Sequence, residues 1–273
     1  MKRLAVRPAV VVFLTAAIAA GAFAADPAGK PAPKPGTAKL LAKAIDLVGP
    51  AKDVPAKPIL KAGDSIVCIG DSITAGGGYL RQMDACLAQQ YGDLKVHKVI
   101  NAGISGQKAE DFIRRFKKDV LDRKPAVVTI NVGINDVWHR LGAPHDTKVL
   151  ETYEQNVAKM VDQAQAAGIK VILLAPTVIQ EDANAKGQKR LALYVTAMKW
   201  VAARKSCGFV DLYAMFLAAL KHKPPKMKGN WLTADGVHMK PLGDAIMAAG
   251  ALRAMGLDEK KIAATDIPVR RRK

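Results

Sequence analysis

Short apolar runs alternate along the chain with longer stretches in which apolar residues recur at helical spacing. Residues 65–69, 95–100, 126–132, 169–175 and 208–211 predict five strands, the third dominated by β-branched side chains. Residues 79–91, 109–121, 149–167 and 188–203 predict the helices between and after them. Pro241 opens a last helix that Gly256 stops, and Gly168 falls where a C-terminal cap belongs. A further short helix is predicted over residues 40–48. Strands that are apolar almost throughout must be covered on both faces, which is the signature of a parallel sheet between helical layers. The prediction is an α/β fold, a three-layer α/β/α sandwich. In such sheets sites form in the crevice beyond the carboxyl ends of the strands. Chemistry is therefore expected just after the first three.

The segments outside this pattern set the domain boundaries. Residues 1–24 read as a signal peptide: Lys2, Arg3 and Arg7 precede an apolar run over 9–22, and Ala22-Phe23-Ala24 offers small residues for cleavage near Ala24. The run falls short of the roughly 20 residues that span a bilayer, so export to the periplasm or medium is expected, with an uncleaved membrane anchor as the alternative. Residues 25–61 are rich in Pro, Ala and Lys and read as a linker. Residues 62–260 are the predicted folded domain, and 261–273 a basic tail ending in Arg270-Arg271-Arg272-Lys273. The formal charge is +18, which invites a nucleic-acid reading. The Lys and Arg residues are spread along the chain without a nucleic-acid-binding signature, however, so no specific nucleic-acid binding is expected. A lysine-rich surface attracted to anionic glycan or cell envelope is the plainer account. Cys68, Cys86 and Cys207 allow at most one disulfide, whose existence the sequence leaves open, and they carry no metal-ligand spacing.

Four polar segments stand where the fold expects a site: Gly70-Asp71-Ser72-Ile73-Thr74, Asn101-Ala102-Gly103, Gly133-Ile134-Asn135-Asp136 and Asp235-Gly236-Val237-His238. A serine hydroxyl is a poor nucleophile unless an imidazole takes its proton and a carboxylate orients that imidazole. Ser72, His238 and Asp235 supply those three groups. The negative charge of a tetrahedral intermediate needs preorganised donors, which the Ser72 and Gly103 backbone N–H groups and the Asn135 amide can provide. Asp71 and Asp136 are read as loop-holding residues. Trp138, His139 and His145 either line the pocket or pack the loop, and Trp231 is either a sugar-stacking wall or an apolar anchor. His97 is read as structural, and Ser105, Thr129 and Thr233 lack the surroundings of a nucleophile.

In order and spacing, the four segments resemble the blocks of the SGNH hydrolases, also called the GDSL-like lipase/acylhydrolase family, with Ile73 where leucine is common. The resemblance covers roughly residues 62–256. It implies a flavodoxin-like five-stranded sheet, Ser72 as nucleophile, His238 as base, Asp235 as acid, and an oxyanion hole from Ser72, Gly103 and Asn135. It also implies no cofactor and no metal. The family cleaves several kinds of ester, so substrate is judged on other grounds. An export signal, short loops and no apolar lid favour removal of O-acetyl groups from carbohydrate. A lysophospholipase or short-chain lipid esterase is the alternative within the reaction class, and a non-catalytic glycan- or envelope-binding protein the alternative outside it.

Overall fold

The first long strand, β2 (Ile66–Gly70), and its neighbour β4 (Val127–Asn131) are buried at every position, because each is flanked by strands on both edges and helices on both faces. The computed structural model describes residues 37–51, 54–96, 99–182 and 184–268. With β3 (Val99–Gly103), β5 (Lys170–Leu174) and β6 (Gly208–Val210), these strands form one all-parallel sheet in the order β3-β2-β4-β5-β6. Counted within the sheet this is 2-1-3-4-5, the flavodoxin-like order, with its switch point between β2 and β4. The register places Gly70 of β2 beside Gly103 of β3 and Asn131 of β4. The first three polar segments therefore start from one level of the sheet edge, and the fourth is carried there by a hairpin outside the sheet.

Helices α1 (Leu40–Val48), α3 (Gly78–Gln90), α8 (Leu212–Leu220) and α9 (Pro241–Ala254) pack as one layer, and α4 (Ala109–Asp119), α6 (Thr147–Ala166) and α7 (Lys186–Arg204) as the other. Helix α9 is buried almost all round, through Ala245, Ile246, Met247, Ala248, Ala249 and Gly250 among others. Its small side chains let α1 and α3 approach it closely.

Two boundaries differ from the sequence reading. The region assigned to a linker contributes strand β1 (Thr37–Ala38) and helix α1, whose Leu41, Ala44 and Ile45 are buried. Within the expected tail, α10 (Glu259–Ala264) leads to β7 (Ile267–Pro268), which pairs antiparallel with β1. The folded unit thus extends beyond 62–260 at both ends. The helix over 40–48 was expected and its bounds agree, but the proline-rich composition around it concealed that it packs into the folded unit and that β1 precedes it. The signal peptide, Arg270–Lys273 and His97 lie outside the described residues. Strand β3 begins and ends later than predicted, so the Asn101-Ala102-Gly103 segment is the end of the strand rather than a loop after it. Cys68 and Cys86 are buried and Cys207 half-buried, and all three are free thiols; burial pushes the Cys68 thiol up to about 12.

Candidate active site

Asp71 caps the short helix α2 (Ser72–Gly76), its Oδ1 accepting the Ile73 N–H at 2.9 Å. Ser72 is the first helical residue, so its N–H has no acceptor within the helix. The turn out of β2 is tight: a Cβ on Gly70 would lie 1.8 Å from Thr74 Oγ1. Burial raises the Asp71 carboxyl to about 6, against the hydrogen bond from Ile73 and the attraction of His238.

His238 arrives from the other end of the chain. Its Nε2 is 2.9 Å from Ser72 Oγ, and its Nδ1 is 2.6 Å from Asp235 Oδ2. The second carboxylate oxygen of Asp235 accepts the backbone N–H groups of Val237 (3.0 Å) and His238 (2.8 Å). Partial burial works against the Asp235 charge, but the His238 ring and these two amides outweigh it and hold the carboxyl at about 2. An ionised Asp235 selects the tautomer with Nδ1–H donating to it, which leaves Nε2 as acceptor toward the Ser72 hydroxyl.

The expected oxyanion donors are placed less simply. Gly103 closes β3, and a Cβ there would lie 2.2 Å from the Ala75 nitrogen. Its N–H donates to Asn101 Oδ1 at 2.9 Å, while Asn101 Nδ2 donates to the Thr74 carbonyl at 2.9 Å. Asn101 thus fastens the second segment to the helix that carries Ser72. Asn135, in α5 (Ile134–Trp138), is buried and donates one amide hydrogen to the Gln107 carbonyl at 3.0 Å. Among the described residues its amide nitrogen makes no second hydrogen bond. Asp136 accepts the Ala109 N–H at 3.3 Å, at the start of α4, and burial raises its carboxyl to about 7.

Of the two tryptophans considered for the pocket, Trp138 stands by the site, its ring 6.4 Å from that of His238 and tilted 47°. Trp231 is buried with the core. His139 and His145 are exposed, and neither hydrogen-bonds to Ser72, Asp235 or His238 among the described residues. Ser105 is exposed, and Thr129 and Thr233 are buried. Among the described residues no three His, Cys, Asp or Glu side chains converge as a metal-ligand set.

Two residues that bind the backbone of these segments were missed in the sequence. Arg115 donates to the Gly70 carbonyl (3.0 Å), the Ala102 carbonyl (2.8 Å) and Gln107 Oε1, and pairs with Asp119 at 2.8 Å. It ties the ends of β2 and β3 together beneath the site. On an amphipathic, charge-rich helix nothing separates it from solvated neighbours such as Arg114. Glu181, in the loop after β5, accepts hydrogen bonds from residues 231–233. It too reads as an ordinary loop charge.

The sequence model of the GDSL-like Lipase/Acylhydrolase family matches residues 68–246. An acetylxylan esterase of Geobacillus stearothermophilus is 29% identical over 215 residues, covering 72% of this chain and 96% of the relative. An uncharacterized lipoprotein, YqeF, of Bacillus subtilis is 29% identical over 218 residues, covering 68% of this chain and 87% of the relative. The crystal structure of the same acetylxylan esterase superimposes with a TM-score of 0.66 at 29% identity, over 73% of this chain and 97% of that one.

Proposed function

This chain belongs to the GDSL-like lipase/acylhydrolase family and is a carboxylic ester hydrolase, and we propose that it works through an acyl-enzyme on Ser72 and removes O-acetyl groups from carbohydrate. The observation that carries the mechanism is the continuous relay from Asp235 Oδ2 through the His238 ring to Ser72 Oγ.

Ser72 Oγ attacks the ester carbonyl carbon as its proton passes to His238 Nε2, and Asp235 stabilises the resulting imidazolium. The carbonyl oxygen becomes an oxyanion, met by the Ser72 N–H and the free amide hydrogen of Asn135. The Gly103 N–H joins them by sharing the hydrogen it gives to Asn101. Collapse breaks the bond to the sugar oxygen, which takes the proton from His238 and departs as a free hydroxyl, leaving Ser72 acylated. A water molecule then repeats the sequence: it loses a proton to His238, attacks the acyl carbon and releases acetate and free Ser72.

Carbohydrate as the carrier is supported by the acetylxylan esterase relative and by Trp138, whose half-buried ring offers an apolar face beside His238. Action outside the cytoplasm is supported by the character of residues 1–24 and by a relative that is named a lipoprotein. The test compares wild type and Ser72→Ala on p-nitrophenyl acetate, then measures acetate from acetylated xylan beside fatty acid from lysophospholipid. Activity on the chromogenic ester confined to wild type, with acetate released from xylan, is the expected result. Equal rates for the two proteins sink the Ser72 mechanism, and fatty acid without acetate sinks the carbohydrate reading.

A further inference from the structure

Asp235 and His238 ride on a hairpin whose internal bonds fix its own shape. The Ala234 N–H donates to the His238 carbonyl at 2.7 Å, the Lys240 N–H to the Leu232 carbonyl at 2.8 Å, and Thr233 bridges to Met239. None of these bonds sets the hairpin's position relative to Ser72. A second group of bonds joins it to the loop after β5. Glu181 Oε2 accepts the Trp231 N–H at 2.6 Å. Glu181 Oε1 accepts the Leu232 N–H at 2.8 Å and the Thr233 N–H and hydroxyl at 2.7 Å each. Beside it the Gln180 N–H donates to the Gly236 carbonyl at 2.8 Å, inside the Asp235–His238 turn.

Three successive amides and a hydroxyl aimed at one side chain form a cradle for an acceptor without hydrogens of its own. A carboxylate fits both ends of it. An amide would present hydrogens to one of the donors. The residues so held lie two to four positions before Asp235. A catalytic group misplaced by about 1 Å costs on the order of 10²-fold in rate, so the anchor of this hairpin bears on the reaction and not only on folding.

We propose that Glu181 is the positioning residue for the acid–base pair: its carboxylate docks residues 231–233 so that His238 Nε2 meets Ser72 Oγ. The proposal rests on the Ser72 mechanism given above. It assigns Glu181 no contact with substrate, so its loss acts on turnover and leaves binding in place.

The experiment measures kcat, KM and Tm for Glu181→Gln and Glu181→Ala on p-nitrophenyl acetate, at a temperature well below each Tm. Glutamine keeps an acceptor for Leu232 and Thr233, so kcat is expected to fall about tenfold in Glu181→Gln and about 100-fold in Glu181→Ala. KM is expected to stay within about twofold. Wild-type kcat in a folded variant overturns the proposal, as does a loss carried by KM alone. Should Glu181→Ala fail to fold, Glu181→Gln decides by the same criteria. Ser72→Ala in the same assay separates the two claims. If it retains activity, the Ser72 mechanism has failed. If it is inactive while Glu181→Gln matches wild type, only the role of Glu181 has failed.

Discussion

Gly103 and Ala75 are packed so closely that a methyl group on Gly103 would lie 2.2 Å from the Ala75 nitrogen and 2.7 Å from the Thr74 carbonyl carbon. The contact is backbone to backbone, between the end of β3 and the helix that begins with Ser72. Neither side can rotate away as a side chain would. The second segment therefore needs glycine at this position to leave room for α2.

Gly103→Ala is accordingly expected to push α2 and Ser72 out of place. Overpacking a filled site typically costs about 1–3 kcal/mol, and a backbone collision belongs at the upper end. The expected outcome is a Tm several degrees lower and a kcat on p-nitrophenyl acetate reduced by about 10² or more. Wild-type kcat in this variant would show that α2 can shift without consequence.

Asp136 gives a prediction about pH. Burial raises its carboxyl from the ordinary 3.8 to about 7 in the folded protein. Between these values the folded state holds a proton that the unfolded chain has released. The contribution of Asp136 to stability therefore declines as pH rises from about 4 to about 7, then levels off. Asp136→Asn retains an acceptor for the Ala109 N–H and cannot ionise. Its Tm is expected to fall less than that of wild type between pH 4.5 and 7.5, values chosen to bracket that window. Parallel curves for the two proteins would remove Asp136 as the cause.

Trp138 separates carrier from acyl group. Its ring stands 6.4 Å from the His238 ring and has no part in the relay. Covering about 40 Å² of the ring with the apolar face of a sugar is worth about 1 kcal/mol. Trp138→Ala is expected to raise KM about fivefold on an acetylated xylo-oligosaccharide and to leave p-nitrophenyl acetate nearly unchanged. Equal losses on both substrates would mean that the ring supports His238 rather than the sugar.

Much of this architecture was legible in the chain because periodicity reports burial directly. Ile66-Val67-Cys68-Ile69 had to be a two-faced strand, and Pro241 and Gly256 bracketed the last helix. The polar segments could be placed because parallel sheets put their sites at strand ends. What escaped is what periodicity does not encode. Strand β1 hides in proline-rich sequence because its partner, β7, lies over 200 residues away, and helix α1, though its span was legible, gives no local sign that it packs on α9. Asn101, read only as part of a glycine segment, turns out to take the Gly103 N–H and to bind α2. Arg115 and Glu181 carry ordinary surface charges whose significance depends on which backbone groups they meet. Residue type announces a nucleophile or a base, whereas the groups that aim them are known only from their partners.

The hydrogen bond between Ser72 and His238 joins residues 166 positions apart, with four of the five sheet strands formed between them in sequence. Long-range contacts of this kind close late, since the loop entropy must be met before they contribute. Ester hydrolysis is therefore a readout of a late step of assembly. A refolding chain can regain its helices and most of its sheet and still be silent. Turnover begins when the hairpin that carries His238 docks, which makes the enzyme its own reporter of that step.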